Sequence, residues 1–225
     1  MSIKEICNIL KSYPYLTLHD RLTILARLFF CMHSIMRVLE KYLPKQGLIL
    51  DLGCGYGVFS HLVSIASPNR IVVGIDMASH RIEVAKKSMD LMRNVEFYAE
   101  DIKKTQIPQC DAIILIDVLY MLSYQEQEQM LTQCYEKLYN GGTLVIKDNA
   151  KSPRWKYAYM YIEEMIKTRL KIYGMESRKS LLCHWDTEDF LVLLGKIGFK
   201  ASIIPLKSHL PYPGVFYICN KLLCS

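Results

Sequence analysis

The 225-residue chain is 51% hydrophobic and 22% charged, which suits one well-buried globular domain and argues against intrinsic disorder. Its uncharged apolar runs fall far short of the ~18–20 residues needed to span a bilayer, and the stretch Met1–Lys11 lacks the apolar core of a signal peptide. The net charge of +6 is spread along the chain and fits a solvated surface better than one concentrated binding face.

Residues 1–46 are helical by pattern, with Leu22, Leu25, Leu28, Phe29, Met32 and Met36 at roughly helical spacing. They read as an extension that packs on or closes over the rest. His33 lies on that apolar face and reads as a packing residue. Gly47–Leu52 is a short apolar run bounded by glycines, which predicts a buried strand, and a helix follows through Val58 to Ile65. Ile71–Ile75 predicts a second strand and Ser79–Asp90 a helix. The rhythm continues with strands at Val95–Tyr98 and Ala112–Ile116, a helix over Gln125–Leu138, a turn at Asn140-Gly141-Gly142 and a strand at Thr143–Ile146. Residues 151–182 break the pattern. They are rich in Tyr, Met, Lys and Arg, and Pro153 suits the first turn of a helical lid. A helix capped by Asp186 or Thr187 then runs to about Ile197. Two last strands, Ala201–Leu206 and Val215–Asn220, flank the Pro- and Gly-bearing turn His209–Gly214.

Apolar strands alternating with helices imply a doubly wound, mostly parallel α/β sheet of seven strands, closed here by an antiparallel hairpin. The expected organisation is a helical extension, 1–46, and a main domain, 47–225, with a lid inserted at about 151–182. Eight cysteines without a Cys-x-x-Cys pair read as reduced thiols used as small apolar residues, which fits a cytoplasmic protein. The six histidines show no ligand spacing, so no metal is expected.

The strongest local signal is Asp51-Leu52-Gly53-Cys54-Gly55-Tyr56-Gly57 at the end of the first strand. Its glycines permit backbone angles and close approaches that a side chain forbids, and the helix that follows offers free N–H groups. A dinucleotide fingerprint places its third glycine at the sixth position, where this chain has Val58, so a nicotinamide site is disfavoured. The segment resembles the first motif of class I S-adenosylmethionine (AdoMet)-dependent methyltransferases, and the resemblance extends over roughly residues 47–221.

That resemblance implies AdoMet as cofactor, with the turn residues Gly53, Cys54 and Gly55 beside it. Asp51 would hold the turn and reach the methionine amino group. Asp76, ending the second strand, would accept from both ribose hydroxyls, and Met77 would pack on the adenine. Asp101 would take the adenine amino group while the Ile102 N–H faces the ring. After the fourth strand, Asp117 would line the cofactor pocket and Tyr120 the substrate cleft. The residues alone leave plainer roles open: Asp76 as a helix cap, Asp101 as a loop acid, Tyr120 as a packing residue. The segment at 116–120 is not the Asn/Asp-Pro-Pro-Tyr motif of nucleobase amino-group methyltransferases.

Methyl transfer from a sulfonium needs alignment above all, and a base only where the acceptor must lose a proton. Tyr120, His33, Asp148 and His184 are candidates; His184, just before a helix cap, reads equally as a surface residue and Asp148 has no visible partner, so no catalytic residue is assigned. The stretch from Pro153-Arg154-Trp155-Lys156-Tyr157 through Tyr173 suits an apolar substrate, a membrane surface, or packing on its own domain. It also bears a looser likeness to small bacterial methyltransferases of lipid or acyl-chain pathways. The expected function is therefore methyl transfer to a small-molecule acceptor, hydrophobic or acyl-like, at the membrane periphery or in the cytoplasm. The competing readings are a non-catalytic scaffold of the same fold and an RNA methyltransferase, whose basic-aromatic track is confined to 153–173.

Overall fold

A computed structural model describes residues 32–88, 94–169, 182–206 and 213–223. Leu22, Leu25, Leu28 and Phe29 of the expected first helix, residues 170–181 of the lid and residues 209–212 of the last turn lie outside the described residues. In chain order the elements are α1 (Met32–Tyr42), β1 (Gly47–Leu52), α2 (Val58–Ala66), β2 (Arg70–Asp76), α3 (Ser79–Lys87), β3 (Val95–Ala99) and β4 (Cys110–Ile116). There follow α4 (Tyr124–Lys137), β5 (Leu138–Asn149), α5 (Arg154–Arg169), α6 (Thr187–Ile197), β6 (Phe199–Pro205) and β7 (Gly214–Lys221).

The seven strands form one sheet in the order β3-β2-β1-β4-β5-β7-β6. The first five run parallel, with Leu50 opposite Val73 on one side and Ile113 on the other. β7 enters antiparallel between β5 and the edge strand β6. Successive side chains leave a strand on opposite faces, so each buried strand feeds two cores. Leu50, Leu52, Ile113, Leu115, Leu144 and Ile146 pack under Met130 and Leu131 of α4 and Phe190 and Leu194 of α6. Ile49, Ile114, Ile116 and Val145 pack under Ile35 and Leu39 of α1, Val63 of α2, and Ile82 and Ala85 of α3. The sheet is thus doubly wound, as the periodicity predicts.

Helix starts follow local chemistry. At α4, Ser123 and Glu126 form a reciprocal capping box. Asp186 stands at the N-cap of α6 with extended backbone and no side-chain cap bond; its carboxylate lies 3.5 Å from the Lys151 ammonium instead. Helix α5 begins at Arg154, one residue after the expected Pro153, whose carbonyl accepts from Lys156 and Tyr157. The expected turn at Asn140-Gly141-Gly142 lies inside β5. Leu138 pairs with Cys110 and Thr143 with Ala112, so the glycines bulge out of the ladder without ending it. None of the described helices is long and apolar enough to cross a membrane.

Candidate active site at the switch point

β1 and β4 lie side by side, and the chain leaves them toward opposite edges of the sheet. In open α/β sheets the crevice for ligands forms beyond the carboxyl ends of such a pair. The turn 53–57 sits at that point. It is stitched to β2 by the N–H groups of Gly53 and Cys54, which both donate to the Ile75 carbonyl (2.7 and 3.1 Å). Gly53, Gly55 and Gly57 all take positive φ (80°, 57° and 70°). A Cβ on Gly53 would stand 2.3 Å from Val118, and one on Gly57 would stand 2.3 Å from Phe97. At Gly55 it would meet nothing within 4 Å. The outer two glycines serve close packing; the middle one faces open space.

Carboxylates frame this turn. Asp51 is buried and accepts from the Ser60 hydroxyl at 2.6 Å, joining the end of β1 to the first turn of α2. Burial pushes its pKa up to about 6, the Ser60 bond opposes this, and the nearby charge of Asp76 adds to it. Asp76 accepts from the Gly55 N–H (2.9 Å) through one oxygen and from the Ala78 N–H (2.8 Å) through the other. It therefore holds the turn and caps the entry to α3 together. Met77, next along, is an exposed apolar side chain.

The half-buried Cys54 thiol, its pKa raised by burial, lies 3.9 Å from the Gly55 carbonyl. Asp101, after β3, accepts from the Lys103 N–H at 3.0 Å, a loop-acid contact, and the Ile102 side chain is buried in the core. Asp117 departs from ordinary geometry, with φ 56°. Its N–H donates to the Lys147 carbonyl (3.0 Å), and its carboxylate pairs with the Lys147 ammonium at 2.5 Å. Lys147 is missing from the sequence-derived candidates. Its signal was a cation at the end of the apolar run Thr143–Ile146.

A second cluster unites three of the four candidate bases. His184 is buried, not at the surface, and its Nδ1 lies 3.4 Å from an Asp148 carboxylate oxygen. Neither ring nitrogen has a hydrogen-bond partner among the described residues. The ring stacks on Tyr120 (centroids 5.0 Å, planes 16° apart) and meets Tyr157 of α5 edge-on at 5.5 Å. The Tyr124 hydroxyl donates to the His184 carbonyl (2.9 Å) and the Cys183 N–H to that of Tyr120 (2.9 Å), tying this segment to the connection between β4 and α4. Tyr157 could not be paired with His184 from sequence, because the contact joins a residue near the start of the lid to one beyond its end. His33 is elsewhere. It is exposed on α1, within 2.8 Å of the Arg37 guanidinium, and is not the packing residue its apolar neighbours suggested. No group of His, Cys, Asp and Glu among the described residues is arranged to hold a metal ion.

A sheet in this order, with a reversed hairpin at one edge and a glycine turn at the switch point, has the architecture of class I AdoMet-dependent methyltransferases. Within that class the chain belongs to the O-methyltransferase domain family, whose sequence profile matches residues 25–178. It is 27% identical over 130 residues to carboxy-S-adenosyl-L-methionine synthase of Campylobacter curvus, covering 57% of this chain and 56% of that one. It is 26% identical over 190 residues to ubiquinone biosynthesis O-methyltransferase of Coxiella burnetii, covering 79% of each. The chain spans about half the length of several curated relatives it matches. Its fold is also that of magnesium protoporphyrin IX methyltransferase from Synechocystis, solved with bound S-adenosylhomocysteine: the TM-score is 0.65 at 15% identity, over 97% of this chain and 95% of the other.

Proposed function

We propose that the chain transfers a methyl group from AdoMet to a small-molecule acceptor with an apolar body. The observation that carries this reading is the asymmetry of the glycine turn. Gly55 opens onto free space, and its N–H is fixed by Asp76, whose carboxylate oxygens each retain a further acceptor position. Residues of this kind fit a nucleoside with a cationic tail. Asp76 would accept from the ribose hydroxyls, Met77 would cover one face of the adenine, and Asp101 with the Ile102 N–H would meet its edge. Asp51 would face the methionine amino group, with Cys54 lining the turn and Asp117 beside the sulfonium. Bound there, AdoMet supplies an activated methyl group.

What the chain itself contributes is alignment in a site with little water, an effect worth roughly 7–11 kcal/mol in well-oriented reactions. Tyr120 is the candidate wall of the acceptor cleft. Where the acceptor is a hydroxyl, His184 with Asp148 behind it is the pair suited to take the proton. Tyr157 covers His184, so α5, as the described part of the lid 151–182, would govern access to that base. The helical extension 1–46 would close the other side of the domain 47–225. An apolar acceptor is supported by the likeness to a ubiquinone biosynthesis enzyme and by the aromatic character of α5. A peripheral position at a membrane belongs to the same reading.

Calorimetric titration with AdoMet and S-adenosylhomocysteine tests it. Wild type should bind both, Asp76→Ala should lose tenfold or more in affinity, and His184→Phe should keep the affinity while losing turnover. Absence of binding by wild type, or unchanged binding by Asp76→Ala, would remove the assignment in favour of a scaffold that never holds the cofactor.

A further inference from the structure

Helix α5 wears its apolar residues on the wrong side. Trp155, Tyr159, Ile162 and Ile166 are 50–63% exposed, and their spacing of four, three and four residues sets them in one line within about 60° of arc. Met165, also exposed, widens the stripe. The inward face is made by Met160, which is buried, and by Tyr157 against His184. A helix on a water-facing surface turns charge outward, and a contiguous outward stripe of large apolar groups marks an interaction surface.

We propose that this outward face of α5 docks onto an anionic lipid bilayer. Charge and residue type select that occupant. Arg154 and Lys156 stand at the start of the helix, roughly 100° to either side of the stripe, and the Lys156 ammonium lies 5.5 Å over the Trp155 ring. Lys151 precedes them, shared with the Asp186 carboxylate 3.5 Å away. Long cationic side chains at the margins of an apolar face reach phosphate headgroups while their stems stay in the interface. Trp and Tyr are the side chains that settle at that depth, with Ile reaching further in. A groove on a protein partner would fit the stripe but has no need of flanking cations on both sides.

The docking geometry stands independently of the chemistry; it rests on the proposed methyl transfer only for its purpose. A lid resting on the bilayer would hold the cleft beside the phase into which an apolar acceptor partitions.

The chain has two tryptophans, and Trp185 is half-buried, donating to the Gln127 side chain at 2.8 Å. In the chain carrying Trp185→Phe, fluorescence therefore reports Trp155 alone. Phosphatidylglycerol vesicles should shift its emission to the blue and expose it to quenching by brominated acyl chains. Phosphatidylcholine vesicles or high salt should weaken both effects. Adding Ile162→Glu and Ile166→Glu should cut the vesicle-bound fraction by about tenfold or more, while the circular dichroism spectrum and AdoMet affinity stay unchanged. Three results would each overturn the proposal: no shift or quenching with phosphatidylglycerol, equal binding by the double-Glu chain, or a lipid-free, concentration-dependent blue shift showing that a second copy covers the stripe. Titrating AdoMet into the same samples keeps the two readings apart. Lost lipid binding with intact AdoMet binding removes only the docking face, and the reverse removes only methyl transfer.

Discussion

A methyl group added at Gly53 and one added at Gly55 would enter opposite surroundings. At Gly53 it would stand 2.3 Å from the Val118 side chain, in a backbone with φ 80°. Neither the strand end nor Val118 in the core has room to yield, so Gly53→Ala should cost about 2–4 kcal/mol and is expected to impair folding itself. At Gly55 the space is open and only the left-handed backbone resists, at about 1–2 kcal/mol. Gly55→Ala should therefore fold, yet lose tenfold or more in AdoMet affinity because the new methyl occupies the room the ligand needs. Urea unfolding and calorimetry on both variants check this; wild-type affinity in Gly55→Ala would mean the open side of the turn faces no cofactor. The spacing of these glycines was legible in the sequence. Which of them packs and which faces a ligand was not, because Val118 and Phe97, which decide it, arrive from other parts of the sheet.

The junction of β1 with α2 carries a buried charge. Asp51 has its pKa raised to about 6 from an ordinary 3.8, so between those values the folded chain binds more protons than the unfolded one. Stability from this group is full below about pH 4, falls as pH rises through 6, and is gone above it. Asp51→Asn keeps an oxygen for the Ser60 hydroxyl and removes the charge. At pH 7.5 it should be more stable than wild type by on the order of 2–3 kcal/mol, the gap closing toward pH 4. The same variant should bind AdoMet less well if Asp51 faces the amino group. Paired denaturation curves across that range test the first half; a gap that widens toward acid would refute it. Elements of this kind were readable where they obeyed a period. The strands alternate apolar faces and β1–α2 follows its glycine turn, but β5 runs through Asn140-Gly141-Gly142 because Leu138 already pairs with Cys110 and pairing resumes beyond the bulge between Thr143 and Ala112. His184 was ambiguous for a related reason: its burial depends on Tyr120 and Tyr157, both remote in sequence.

The architecture of the whole molecule follows from periodicity, yet one of its ties is invisible there. Arg70 opens β2 fully buried, whereas sequence alone starts that strand at Ile71, since a lone arginine beside an apolar run reads as surface. Its guanidinium donates to the Pro44 carbonyl (2.8 Å), the Val63 carbonyl (2.8 Å) and the Glu40 carboxylate (2.5 Å). It thereby fastens α1 and its exit to α2 and the sheet. Glu40 also pairs with Lys45 at 2.7 Å, but the Lys45 side chain is 66% exposed and that bridge is screened by water. Removing the two partners should thus differ sharply. Glu40→Ala leaves a buried cation with only carbonyls around it and should cost about 2–3 kcal/mol, below the range for a wholly buried pair because Glu40 itself is 29% exposed. Lys45→Ala should cost well under about 1 kcal/mol. If urea denaturation gave the two variants equal midpoints, Arg70 would not be the bolt that holds α1 to the sheet, and that helix would rest on its buried apolar face of Met32, Ile35 and Leu39 alone.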